Sequence, residues 1–192
     1  MFTLPISFVL SLADDATMSR YDSHTVRRLS SMAGYYQASD ALTDLLAVDD
    51  PIHYEVFGID RPAVAGELIS GITRLYAGQV GQEFFMTKGH YHAVLETGEI
   101  YYALQGQGMM VMETPEGEWR VEPFAAGQVV YVPPRWAHRT VNTGDVPLLF
   151  FWVCPANAGH DYGTIADRGF RKVVIEVEGT PTILDNPRWS PP

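Results

Sequence analysis

Residues 87–106, TKGHYHAVLETGEIYYALQG, decide the fold, because they set two histidines one residue apart and a glutamate seven residues beyond the second. Successive side chains of an extended strand point to opposite faces, so His90 and His92 share a face and Tyr91 points away. Glu99 opens a second apolar run, EIYYAL, after the polar turn Glu96-Thr97-Gly98, and a hairpin there brings its carboxylate back toward the same face. A fourth donor comes from VVYVPPRWAH, where a strand from Val129 to Val132 meets a Pro-Pro turn that breaks the ladder and delivers His138. Three imidazoles and one carboxylate are borderline ligands. They suit iron, manganese, nickel, cobalt or zinc better than calcium or magnesium.

Outward from this stretch the chain reads as strands. HYEVFGI, LISGITRLYAG, EFFMTKGHYHAV, EIYYALQGQGMMVMET, EWRVEPFAAGQVVYVPP, HRTVNTG and PLLFFWVCP are separated by Gly, Pro and acidic turns, with Thr114 to Gly117 a hairpin tip. Short, regular spacing of this kind predicts an antiparallel barrel or double-sheet jelly roll. Upstream, Ile6, Phe8, Leu10 and Leu12 alternate with Ser7, Val9 and Ser11 as in a half-buried strand, which Ala13-Asp14-Asp15 ends. Leu42, Leu45 and Leu46 recur at helical spacing behind a Ser/Asp cap, predicting a short helix over 39–48. A single helical turn is expected near Thr164 to Gly169 and a last strand over Lys172 to Val177. The expected organisation is an N-terminal arm of strand and helix (1–50), a barrel carrying the metal site (51–180), and an irregular, proline-rich tail on the surface (181–192).

The 192 residues suffice for one domain with a sizeable core. Lys+Arg 13 against Asp+Glu 23 gives a formal charge of −10, which argues against nucleic acid or an anionic membrane as partner. An anionic substrate must therefore be held by local groups. The basic patch HTVRRLSS, with Arg27 and Arg28, admits a phosphate contact, although a solvated turn or an oligomer contact is the preferred reading. His24 is read as a surface residue. Cys154 is the only cysteine, so neither a disulfide framework nor a thiolate zinc site is available, and a reducing cytoplasm fits. The opening MFTLPISFVLSLADD lacks a basic leader and a small-residue cleavage pattern, and no apolar run approaches the roughly 20 residues of a membrane span.

His-x-His, then Glu99 with six residues before Gly106, then Gly127, Pro133, His138 and Asn142 at intervals of six, five and four, resemble the two motifs of the cupin superfamily. TKGHYH, VVYVPPRWAHRTVN and AGHDYGTIADRGF are similar to the cupin-type glucose-6-phosphate isomerases of archaea and some bacteria, a likeness running from about Val26 to Trp189. The resemblance implies an all-β, double-stranded β-helix (cupin) barrel with short helices. It implies His90, His92, Glu99 and His138 as ligands of one divalent transition ion, typically Fe2+, with Mn2+, Ni2+, Co2+ or Zn2+ able to substitute. It further implies a homodimer acting on a sugar phosphate.

Glu99 is the candidate base for moving hydrogen between C2 and C1 through a cis-enediol, since one group on one face suffices. A tightly held carboxylate is a weak base, so a hydride shift from C2 to C1 stays open beside it. His160 and Tyr162, in GHDYG, match the family's stretch near substrate, and His160 is suited to ring opening. Tyr101, two residues after Glu99, shares its face. For the phosphate the resemblance points to Tyr54, Thr73, Thr87 and Gly89. Lys88 and Arg139 adjoin ligands in sequence, and strand alternation turns both outward. Cys154 stands where the family is expected to carry a tyrosine near the phosphate. His53 is expected to face away from the cavity, and Asn142 to satisfy backbone groups. Two further readings are a cupin dioxygenase and a non-catalytic sugar-phosphate binding protein.

Overall fold

The computed structural model describes residues 7–12 and 18–190. Its elements run β1 (Ser23–Arg28), a 3-10 turn (Leu29–Met32), α1 (Ser39–Val48), β2 (Ile52–Ile59), β3 (Leu68–Leu75), β4 (Gln79–Val80) and β5 (Glu83–Phe84). They continue with β6 (Glu99–Gln105), β7 (Gln107–Glu113), β8 (Trp119–Ala125), β9 (Val129–Val132), β10 (Ala137–Asn142), β11 (Leu148–Pro155), α2 (Gly163–Arg168), β12 (Lys172–Val177) and β13 (Thr180–Asp185).

One layer is a six-stranded sheet in the order β1-β2-β3-β11-β6-β9. The other combines a three-stranded sheet, β10-β7-β8, with a four-stranded sheet, β13-β12-β5-β4. Bridges from Met86 to Val141 and from His90 to His138 stitch these two pieces together along β10. The result is the expected all-β jelly roll of the cupin type.

Alternation explains what each layer presents to the interior. Along β6, Glu99, Tyr101 and Ala103 are buried, whereas Ile100 and Tyr102 are exposed on the outer face. Phe150 of β11 and Phe124 of β8 pack at a ring separation of 5.6 Å, and Tyr101 joins them at 5.6 and 6.4 Å. Burying each such ring contributes about 2–3 kcal/mol. β10 is buried at all six positions, so its polar side chains need internal partners. Asn142 finds them as expected: its Nδ2 donates to the Leu75 and Val146 carbonyls at 3.0 and 2.9 Å, and its Oδ1 accepts from the Gly144 N–H at 3.0 Å.

Several local expectations need correction. Ser7–Leu12 forms no strand beyond one bridge between Leu12 and Met18, and Val9 is 86% exposed; Ile6 and Ala13 to Asp15 lie outside the described residues. Alternation specifies a strand only where a neighbouring edge offers its backbone. Next to β2 that edge is taken by β1, the stretch read as a solvated turn. α1 spans the expected residues, but Ser39 is its first helical residue and the cap position, Ala38, makes no side-chain cap. The tail is not wholly irregular: β13 pairs along β12 from Thr180 to Asp185, tolerating Pro181 because β13 is an edge strand. Glu96 to Gly98 does not close a hairpin either. β6 instead pairs with β9 and β11, and the segment carrying His90 bridges to β10 and to Asp161.

Candidate metal centre and substrate cavity

His90 and His138 face each other across a backbone bridge, with the His90 N–H donating to the His138 carbonyl at 3.3 Å and the His138 N–H returning at 3.1 Å. Glu99, the first residue of β6, pairs with Val132, the last of β9. From there the chain turns through Pro133 to Trp136, with Arg135 at a φ of 72°, and enters β10 at Ala137. One donor atom from each of His90, His92, Glu99 and His138 lies within 4.8 Å of all the others.

The hydrogen bonds behind the rings orient them. Thr97 Oγ1 donates to the Val94 carbonyl at 2.6 Å, so toward His92 Nδ1, 2.8 Å away, the same oxygen acts as acceptor. The Thr97 carbonyl lies 3.0 Å from that nitrogen as well, and the Trp136 carbonyl 3.3 Å from His138 Nδ1. Acceptors at Nδ1 place the proton there and leave Nε2 with a free lone pair aimed at the cluster. His90 Nε2 and His138 Nε2 are buried without a hydrogen-bond partner. His138 Nε2 is nonetheless 2.9 Å from Glu99 Oε2, and His92 Nε2 is 3.1 Å from the same oxygen. At His138 that approach lacks the direction of a hydrogen bond, so it is a crowding of donor atoms. Lone pairs this close to a carboxylate oxygen repel unless a cation lies among them. The residues therefore fit a divalent transition ion, and the absence of thiolate and the single carboxylate keep the set borderline.

Burial by itself pushes the Glu99 carboxyl up; with a proton on Nε2, the His138 and His92 rings donate to it, outweigh burial and hold it below the ordinary carboxylate range, and a cation among the donors acts in the same direction. Burial and the neighbouring His138 and His160 push His90 well down, so it is neutral at neutral pH, as a ligand must be.

Every side chain expected to contact substrate borders one cavity, with about 560 Å³ between its walls counting the open mouth. The buried Glu99, Tyr101 and His138 line it with His90; Tyr54 and Thr73 come from the six-stranded sheet, Thr87 and Gly89 from the segment bonded to β10, and the exposed His160 and Tyr162 stand at the rim. Tyr101 is buried against the Glu99 carboxylate, and burial first, then that charge, drives its phenol well up. His160 and Tyr162 stack at 5.7 Å and 13°. His160 reaches solvent, yet the protein packed around it lowers its pKa.

Period-2 spacing could have found three more lining residues, since Val56, Thr140 and Trp152 each stand two positions from a cavity residue. Lys88 is a correction, because it lines the cavity instead of facing outward. Residues 87–89 lie outside any regular strand and Gly89 has a φ of 72°, so alternation does not apply there. Arg139 does turn away, buried with Nη2 donating to the Lys88 carbonyl at 2.7 Å. Cys154 is buried on the β11 face shared with Phe150 and Trp152, and burial, then the Glu99 charge, raises its thiol to about 12. His53 faces away from the cavity as expected: it is fully buried, with Nε2 2.9 Å from the Met86 carbonyl and 3.1 Å from the Tyr36 hydroxyl.

A sequence model of the family described as Glucose-6-phosphate isomerase (GPI) matches residues 26–188. The chain is 55% identical over 164 residues to the glucose-6-phosphate isomerase of Pyrococcus abyssi, covering 85% of this chain and 87% of that protein. With the enzyme of the same name from Thermococcus litoralis the identity is 47% over 188 residues, 98% of this chain and 96% of the relative. Among solved structures, Bacillus subtilis oxalate decarboxylase superposes on 55% of the chain with a TM-score of 0.45 and 26% identity, and the match spans only 26% of that longer protein. The family match over most of the chain, and relatives that align nearly end to end, establish that the chain belongs to the glucose-6-phosphate isomerase family.

Proposed function

We propose that the protein is a metal-dependent aldose–ketose isomerase that interconverts glucose 6-phosphate and fructose 6-phosphate in glycolysis or gluconeogenesis. The observation that carries this reading is the meeting, in one cavity, of a four-donor cluster holding two orphaned imidazole nitrogens with the hydroxyl-bearing residues Tyr54, Thr73 and Thr87. In this reading His90, His92, Glu99 and His138 hold one divalent transition ion. Family resemblance favours Fe2+, and the donor set also admits Mn2+, Ni2+, Co2+ or Zn2+. When bound, the ion polarises or orients the sugar oxygens on C1 and C2.

Thr73, Thr87 and Tyr54 offer hydroxyls to the phosphate, and the positive φ at Gly89 lets the backbone approach it. His160, neutral at neutral pH, assists ring opening at the rim, and Tyr162 stacks behind it. Tyr101, held protonated, keeps the Glu99 carboxylate oriented toward the floor of the cavity. Glu99 then moves the proton from C2 to C1 on one face of a cis-enediol. A carboxylate held in the donor cluster is a weak base, so this route requires Glu99 to loosen from the cluster as sugar enters. A hydride shift from C2 to C1 instead leaves Glu99 only a holding role. Release of deuterium from C2 into water distinguishes the two routes.

A homodimer fits the outer face of the six-stranded sheet. There Ile100, Tyr102, Val129 and Tyr131 lie exposed on β6 and the edge strand β9. Among the described residues no helix is long and apolar enough to cross a membrane. A cytoplasmic location accords with the single buried cysteine.

The deciding experiment is conversion of fructose 6-phosphate to glucose 6-phosphate by the wild type and by Glu99→Gln. Turnover in the variant is expected to fall by about 10²-fold or more, with a smaller rise in KM. Equal turnover removes Glu99 from the chemistry. A metal-loaded wild type that does not convert the sugar overturns the isomerase reading, and oxygen consumption with enol substrates then tests a dioxygenase.

A further inference from the structure

The residues so far assigned to the phosphate, Tyr54, Thr73, Thr87 and Gly89, are all neutral. The chain carries a formal charge of −10, so a sugar phosphate dianion approaches against the overall field. Hydroxyls give direction to a bound phosphate but no compensating charge. Positive charge is nonetheless present at one corner of the cavity.

Lys88 is half-buried in the cavity wall, its Nζ 5.2 Å from the centre of the Tyr35 ring. Arg139, buried between Phe170 and Tyr35, holds the Lys88 backbone through its carbonyl and fixes where that side chain begins. Arg27, also half-buried, stands directly opposite Tyr54 in the β1–β2 register, and its charge acts on the Tyr54 phenol. Opposite residues of an antiparallel pair project to the same side, so Arg27 rises beside a tyrosine that faces the cavity. The Arg27 charge is felt at Lys88, Tyr35 and Tyr162, which places it at the same corner. Among the described residues neither Arg27 nor Lys88 comes within ion-pair distance of a carboxylate. Two cations held near each other without a counter-charge repel, an arrangement that an incoming anion relieves.

We propose that Lys88 and Arg27, with Tyr54 between them, form a cationic rim that selects a dianionic phosphate on the sugar and determines the preference for phosphorylated over free hexose. The proposal rests on the isomerase reading and deepens it. Lys88 supplies a point charge inside the wall, and Arg27 supplies charge at the mouth and orients the Tyr54 hydroxyl toward the ligand. Neither residue touches the reacting carbons, so both act on binding and specificity. This also revises the reading of HTVRRLSS: its first arginine stands beside the cavity residue Tyr54, while Arg28 donates to the Asp50 carbonyl at 2.7 Å on the exposed surface.

The test uses full-length, metal-loaded protein carrying Lys88→Gln, Arg27→Gln, or both, with exposed Arg120→Gln as control. Two quantities are read: KM against kcat for fructose 6-phosphate, and the affinity for inorganic phosphate by titration calorimetry. Each rim variant is expected to raise KM about tenfold or more, to weaken phosphate binding by a similar factor, and to change kcat less. Metal content stays at the wild-type level, and Lys88→Arg recovers much of the affinity. KM and phosphate affinity within about twofold of wild type in both single variants overturn the proposal. Arg27→Met replaces Arg27→Gln if the latter does not fold. If the wild type proves not to isomerise, the isomerase reading fails by itself. Phosphate binding in the same variants still decides the rim: weakened binding supports it and unchanged binding overturns it.

Discussion

Lowering the pH from 7 to 4 is expected to cost the fold about 3 kcal/mol at a single residue, His53. The ring is fully buried on β2, with Nε2 against the Met86 carbonyl and the Tyr36 hydroxyl and Nδ1 without any partner. Burial pushes its pKa from 6.5 down to about 4; the bond to the Met86 carbonyl opposes this and the Arg139 charge adds to it. Between those values the unfolded chain takes up a proton that the folded chain refuses. Stability therefore falls as the pH drops through that window, by about 1.4 kcal/mol per pH unit, and is unaffected by this group above pH about 6.5. The span from 6.5 to about 4 gives the stated total of about 3 kcal/mol, a sizeable part of the 5–15 kcal/mol typical of a domain. His53→Gln keeps an N–H donor for the Met86 carbonyl and cannot titrate. Urea unfolding of both proteins at pH 7.5, 6, 5 and 4 isolates the effect from the other histidines. The wild type should lose about 3 kcal/mol relative to the variant between the first and last pH. Parallel pH profiles would show that folded His53 accepts a proton readily, and the burial argument would be wrong.

Gly89→Ala meets two obstacles, a φ of 72° and a new Cβ placed 2.4 Å from the fully buried Phe170 ring. A loss of about 2–4 kcal/mol in denaturant unfolding follows from backbone strain and overpacking, and unchanged stability would show that the loop has slack. Arg168→Met breaks a buried pair: its guanidinium lies 3.1 Å from Glu113 and 2.8 Å from the Tyr91 hydroxyl, and burial already raises the Glu113 carboxyl. About 3–5 kcal/mol should be lost, with substantial recovery on adding Glu113→Gln; a thermal midpoint within 2 °C or so of wild type would argue against the pair's importance.

The four-donor cluster was legible because its donors obey local rules. His90 and His92 share a face by alternation, and the Pro-Pro break stops β9 in time to bring His138 round onto β10. The path of Glu99 was misread. A polar turn before a strand looks the same whether the strand pairs with its predecessor or, as here, with β9 and β11 far along the chain. The N-terminal alternation misled for a related reason, since period 2 shows which face a strand would bury but not whether an edge is free to receive it. Lys88 shows the limit of alternation itself, which fails where one glycine at positive φ interrupts the extended backbone. Arg27 was ambiguous in sequence because its place depends on pairing opposite Tyr54, a contact across 27 positions that no local pattern encodes.

The measurement that bears most directly on the central claim is isomerisation of fructose 6-phosphate by protein assayed as purified, after chelation, and after adding back single metals, with bound metal counted at each stage. Activity that disappears with the chelator, returns with Fe2+ or Mn2+ at about one ion per chain, and is absent with the ion in His138→Ala is the expected result. Full activity in chelated protein shown to be free of metal would contradict the account.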